Sequence, residues 1–118
     1  MGRNKFKAKK VRFNGMVFDS QHEYEEWSRL RLLERAGIIH DLRRQVKYVL
    51  IPAQYEQPEG GKKRGKLLER EVAYYADMVY TDCDGKLVVI DAKGVRTKDY
   101  IIKRKLMLLL KGIRIVEV

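Results

Sequence analysis

VAYYADMVYTDCDGKLVVIDAKG, residues 72–94, decides how this chain folds. Two apolar runs flank Asp82, Cys83, Asp84 and Gly85, a cluster of turn formers, so the stretch reads as a hairpin with strands at residues 69–81 and 86–93. The first strand carries one acid, Asp77, in an otherwise hydrophobic run, and the second ends in Asp91-Ala92-Lys93. Strand side chains alternate faces, so Asp91 and Lys93 point one way and Ala92 the other. By the same rule Ala73, Tyr75, Asp77 and Val79 share a face, and the acid interrupts a hydrophobic row. Pairing of the two strands brings Asp77 beside Asp91 and Lys93. Two carboxylates and one ammonium gathered at a sheet edge suit a divalent metal and a phosphate. An exposed Asp91–Lys93 ion pair is worth only about 0–1 kcal/mol and does not by itself call for this arrangement. Residues 87–90 are apolar on both faces, which marks a central strand covered on both sides.

Upstream, Asn14-Gly15 predicts a two-residue turn within a short hairpin at residues 13–18. Ser20 followed three residues later by Glu23 has the form of a capping box, and predicts a helix over residues 21–36 that stops at Gly37. At about 100° per residue, Tyr24, Trp27, Leu30 and Leu33 define its apolar face, with Glu23 near the middle of the stripe. Two readings of Glu23 follow. A capping-box Glu reaches back to the Ser20 backbone amide and needs no other purpose. A metal site just beyond the helix start also explains an inward acid, since an unpaired buried carboxylate costs several kcal/mol or takes up a proton. Glu26, about 60° off the stripe centre, is the alternative acid.

Downstream, residues 45–51 (QVKYVLI) read as a strand ending at Pro52, and residues 55–66 as a polar, Gly- and Lys-rich mobile loop. Thr97 caps a second helix running through Lys111 with Gly112 closing it, and residues 113–118 make a last strand. The order is helix, three strands, helix, strand. It forms a single domain over residues 13–118, preceded by a Lys/Arg-rich arm at residues 1–12 that can lie against phosphates.

Composition narrows the partners. The chain has 118 residues with 26 Lys and Arg against 16 Asp and Glu, a net charge of +10, so a polyanion is the first expected partner. A basic surface serving only solubility is the plain alternative. Cys83 is the only cysteine, which excludes an internal disulfide and makes a cytoplasmic location the expectation. No run approaches the roughly 18 apolar residues of a membrane span, and the basic amino terminus lacks the apolar stretch of a signal peptide. His22 and His40 are isolated, with no zinc-ligand spacing and no nucleophile triad nearby. Neither a phosphate-binding P-loop nor a dinucleotide fingerprint occurs. Arg96, Lys98, Lys103, Arg104 and Lys105 cluster after the Asp-Ala-Lys strand. Such a run is ordinarily a solvated face, but here it would flank the acids and begin at a helix amino terminus, where phosphate is favoured.

From FDSQHEYEEW through YYAD and VVIDAKGVRTK to the last strand, the chain resembles the PD-(D/E)xK nuclease superfamily. The resemblance is closest to its small phage-encoded members and the Holliday-junction-resolvase-like group. It implies an α/β fold with a restriction-endonuclease-like core, a central mixed sheet flanked by helices. On this resemblance Asp77 matches the first acid, Asp91 the second, Lys93 the motif lysine and Glu23 the first-helix acid, while Ala76 stands where the signature has proline. Asp77, Asp91, the Ala92 carbonyl and Glu23 would hold Mg²⁺, for which Mn²⁺ can substitute. Gln45, Arg96, Lys98, Lys103 and Arg104 are the expected DNA contacts. The implied function is a Mg²⁺-dependent DNA endonuclease acting on branched or recombination-intermediate DNA, working as a homodimer in the cytoplasm (the host's, if phage-encoded). The rival reading is a basic DNA-binding accessory protein on the same fold that does not cut. A third, an RNA-associated basic protein, would present exposed aromatics on a strand surface.

Overall fold

The computed structural model of the protein describes residues 9–61 and 63–118, so most of the basic arm lies outside the described residues. Strands β1 (Val11–Phe13) and β2 (Met16–Phe18) form the expected antiparallel hairpin. Asn14 (φ 48°) and Gly15 (φ 77°) both adopt the positive φ that a tight primed turn requires. Helix α1 (Gln21–Arg35) starts where Ser20 Oγ accepts the Glu23 amide at 3.1 Å. It ends in a Schellman arrangement: Gly37 takes φ 76°, and the Ile38 and Gly37 amides close on the Leu33 and Glu34 carbonyls, each at 3.0 Å.

Strand β3 (His40–Ile51) is longer than the expected 45–51, because its charged first half pairs despite left-handed residues at Asp41 and Gln45. Of the described residues in the expected loop at 55–66 only Tyr55 is strand, and two short strands flank the rest. Strands β4 (Gln54–Tyr55) and β5 (Leu67–Glu69) form a small separate sheet, and Gly65 passes so close that a Cβ there would lie 2.4 Å from the Glu56 carbonyl oxygen. Strand β6 (Val72–Thr81) accordingly begins three residues later than expected. Strand β7 (Leu87–Asp91) follows the turn in which the Asp82 carboxylate accepts the Asp84 and Lys86 amides, each at 2.9 Å. Helix α2 (Lys98–Leu106), capped by Thr97, continues as a π-helical turn (Met107–Lys111) that Gly112 closes at φ 67°. Strand β8 (Val116–Glu117) completes the main sheet.

That sheet has the order β3-β6-β7-β8, with β3/β6 and β6/β7 antiparallel and β7/β8 parallel. The parallel pair exists because α2 carries the chain across the sheet between β7 and β8. The protein is therefore a mixed α/β molecule with a central mixed sheet and two helices. On one face Trp27 and Leu30 of α1 pack with Phe18, Met78 and Ile90. On the other, Tyr100 of α2 and Met107 pack with Tyr74, Ala76, Val79 and Val89. No helix among the described residues is long and apolar enough to cross a membrane.

Strict alternation fails at one rung. Val46 and Tyr48 of β3 face the α2 side, yet Leu42, also even-numbered, faces the α1 side. In β6, Tyr74 and Ala76 face α2, whereas Met78 and Tyr80 face α1. Both strands exchange faces at the same place, between Val46↔Ala76 and Arg44↔Met78, where Gln45 holds φ 51°. The expected shared row of Ala73, Tyr75, Asp77 and Val79 is thus broken at Asp77, and Tyr75 turns outward, 52 % exposed.

Candidate active site

Beyond the Met78↔Ile90 pair, β6 and β7 stop pairing, and Asp77 occupies the fork that opens between them. Its Oδ2 accepts the Ala92 amide at 2.9 Å, so Ala92 is bonded to a side chain rather than to a strand. For this reason β7 ends at Asp91, and Ala92 and Lys93 lie just past the strand instead of within it. Lys93 nonetheless returns to the side of Asp91, with Nζ 3.1 Å from Oδ1.

Asp91 is buried, 1 % exposed, and its two oxygens differ. Oδ2 accepts the hydroxyl of buried Tyr74 at 2.5 Å. Oδ1 has Lys93 Nζ nearby, but no donor aligned on it as a hydrogen bond. Burial pushes the Asp77 carboxyl up, to about 8, and the negative charge of Asp91 adds to the rise, against the Ala92 amide, which favours the ionised form. Burial and the hydroxyl's bond to Asp91 push the Tyr74 phenol far upward, so it remains a donor.

Glu23 arrives from the first turn of α1 and is buried, 2 % exposed. Its Oε1 accepts the Asp19 amide at 2.9 Å, one residue before the Ser20 amide that a capping box employs. Its Oε2 is 3.4 Å from Gln45 Nε2 and 3.7 Å from Arg44 Nη2. Burial raises the Glu23 carboxyl, while Arg44 opposes that rise. The Gln45 amide also lies 3.5 Å from Asp77 Oδ1, so a single side chain spans the gap between the two acids.

Of these groups, Glu23, Asp77, Ala92 and Lys93 wall a cleft of about 1200 Å³, while buried Asp91 is not part of its wall. Lys9, Lys10, Arg96 and Lys98 stand around the cleft together with Asp19, which pairs with Lys10 at 3.1 Å, so Glu23 and Asp77 face a rim that is mostly cationic. A buried carboxylate oxygen without an aligned donor, next to a second acid, is a donor pair that fits a hard divalent cation. Among the described residues no three acidic, imidazole or thiol side chains gather as a metal-holding group, and Glu23 is linked to Asp77 through the Gln45 amide.

The structure brings together Glu23, Gln45, Asp77, Asp91, Ala92 and Lys93, with Lys98 at the rim. Glu26 is held instead by Arg29 at 2.8 Å. Arg96 lines the cleft but donates to Glu117 Oε1 at 2.8 Å. Arg104 reaches the other oxygen of Glu117 at 3.1 Å, beside a separate depression, and Lys103 does not line the cleft. Glu117 also accepts the Tyr100 hydroxyl at 2.6 Å, and Lys93 Nζ rests 4.4 Å above the Tyr100 ring. Sequence reasoning missed Tyr74, Arg44, Tyr100 and Glu117. Arg44 stacks 4.0 Å over Phe18 and donates to the Val17 carbonyl at 2.9 Å, contacts that no local spacing signals. For Tyr74 the available signal was a hydroxyl within a run otherwise bound for the core.

A family model described as a protein of unknown function, DUF1064, matches residues 3–112. No curated protein and no solved structure matches the chain.

Proposed function

The chain belongs to the DUF1064 family, and from its site we propose that it is a divalent-metal-dependent endodeoxyribonuclease with a restriction-endonuclease-like core of the PD-(D/E)xK kind. The observation that carries this reading is the Asp77–Asp91 pair, in which Asp77 and Lys93 line a basic-rimmed cleft and buried Asp91 lies against both. Asp77, Asp91 and the Ala92 carbonyl are the groups that would hold Mg²⁺ or Mn²⁺, with Glu23 acting through an intervening water. A cation bound there would polarise the phosphodiester and make a bound water more acidic.

The chain's own residues do the rest. Lys93 orients the attacking water and offsets charge that builds on the phosphate in the transition state. Its contacts with Asp91 and the Tyr100 ring hold that ammonium in one region. Gln45 keeps Glu23 and Asp77 in fixed relation, and Lys9, Lys10 and Lys98 take the flanking phosphates. Branched or recombination-intermediate DNA is the proposed substrate class. A homodimer follows from it, since cutting two symmetric strands calls for two symmetric sites.

The second reading, a DNA-binding accessory protein that does not cut, is favoured by the absence of a three-acid metal group among the described residues. Against it, acids facing phosphates weaken a pure binder. Incubation with linear, nicked, flapped and four-way-junction DNA, in Mg²⁺ or EDTA, separates the two. The nuclease reading expects Mg²⁺-dependent cleavage that Asp91→Ala abolishes and Lys93→Ala slows by about 10²-fold or more. Binding to every substrate with no cutting would promote the accessory protein, and cleavage indifferent to EDTA or to both substitutions would overturn the nuclease.

A further inference from the structure

Tyr74 is the third residue of β6, 3 % exposed, and its hydroxyl donates to Asp91 Oδ2 at 2.5 Å. A phenol in a closed apolar cluster with Leu50, Val89 and Met107 has few partners to choose from, and releasing it would leave a buried donor unsatisfied. The bond therefore fixes the carboxylate of Asp91 about its own axis. It takes up Oδ2 and leaves Oδ1 as the oxygen with no aligned donor, on the side where Lys93 lies. Carboxylates bind Ca²⁺ in either one- or two-oxygen fashion at 6–8 ligands, whereas Mg²⁺ takes single oxygens in a strict octahedron. An Asp whose second oxygen already accepts a buried hydrogen bond offers the other oxygen first, because two-oxygen binding would have to bend or compete with that bond.

The geometry points to Tyr74 as a positioning residue that restricts Asp91 to one-oxygen coordination and so selects small octahedral cations over Ca²⁺. This inference rests on the proposed metal site and names what sets its selectivity. Second-layer partners of this sort orient a ligand without touching the metal.

The test is calorimetric titration of the whole chain with Mn²⁺ and with Ca²⁺, for the natural protein and Tyr74→Phe, with melting temperature recorded for each. Phe keeps the ring in the core and removes only the hydroxyl. The natural protein should bind Mn²⁺ more tightly than Ca²⁺. Tyr74→Phe should lose about ten-fold in Mn²⁺ affinity, within the range for such partners, and much less for Ca²⁺, so that the ratio narrows. An equal loss for both ions, or no loss, overturns the selectivity role. Failure of the natural protein to bind either ion sinks the metal site itself, a distinct result. A second measurement needs no variant: the Tyr74 hydroxyl proton should be visible by NMR as slowly exchanging and should persist in saturating Mg²⁺. Its disappearance on Mg²⁺ binding would show that Oδ2 had been released to the metal, and the inference would fall.

Discussion

Gln45 and Asp77 oppose each other across β3 and β6 at the rung where both strands exchange their buried faces, and the Gln45 amide reaches the Asp77 carboxyl at 3.5 Å. The reversal turns an acid that regular alternation would aim at one face into the fork between β6 and β7. There it meets the Ala92 amide and Asp91. The site is thus a product of irregularity in the sheet.

Asp77 makes the metal-free protein less stable as pH rises. Its folded carboxyl titrates near 8 against an ordinary 3.8, so between these values the folded state holds a proton the unfolded chain has released. Stability is full below about 4 and declines toward 8. Asp77→Asn should remove that decline and raise the melting temperature at pH 8 relative to the natural protein, while abolishing cleavage. Mg²⁺, which displaces the proton, should stabilise the natural protein more at pH 8 than at pH 6. Parallel melting curves for the two proteins from pH 5 to 9 would count against this account.

Lys93→Ala should reduce the cleavage rate by about 10²-fold or more, the scale seen when one charge-stabilising donor is lost. Junction-DNA affinity in Ca²⁺ should change little, because Lys93 is one cation among several at the cleft. Single-turnover kinetics beside a binding isotherm separate the two effects.

Glu117 ties the end of the chain to α2 and to the cleft wall through Tyr100, Arg96 and Arg104. The Tyr100 hydroxyl first, then Arg96, hold its carboxyl down to about 2 against an ordinary 4.5. A lowered carboxyl contributes stability above its unfolded value, and that contribution is lost as pH falls from about 4.5 to 2. Glu117→Gln should therefore melt lower at pH 7 and show a weaker dependence on pH in acid, as followed by circular dichroism.

Phosphate contacts carry the salt dependence of DNA binding. Replacing Lys98 by Ala should weaken binding across all DNA shapes and lower the slope of log affinity against log salt by about 1. The same change at Lys103, away from the cleft, should leave the slope nearly unchanged.

Phe18 is fully buried between Trp27 and Tyr24, and supports the stacked Arg44 as well. Phe18→Ala should cost about 3–5 kcal/mol in urea unfolding. Leu109→Ala, at a residue 77 % exposed, should stay within about 0.5 kcal/mol of the natural protein.

Local signals in the sequence determined the elements. Ser20 and Gly37 bound α1, Asn14-Gly15 turns the first hairpin, Asp82 and Gly85 turn the second, and Thr97 and Gly112 bound the last helical stretch, each through contacts spanning a few residues. The acids breaking apolar runs at Asp77 and Asp91, and the inward Glu23, were legible for the same reason: a charge on a buried face stands out against the period. Tertiary structure alone decided the rest. It reversed the faces of β3 and β6 at Gln45 and Asp77, extended β3 back to His40, ended β7 at Asp91, and moved the Glu23 bond from Ser20 to Asp19. It also brought Tyr74 to Asp91 from 17 residues away, and gathered Arg96, Tyr100 and Arg104 on Glu117. Periodicity describes a strand or helix relative to itself. Which oxygen of a carboxylate is bonded, and which is left open, depends on groups that meet only when separate elements pack.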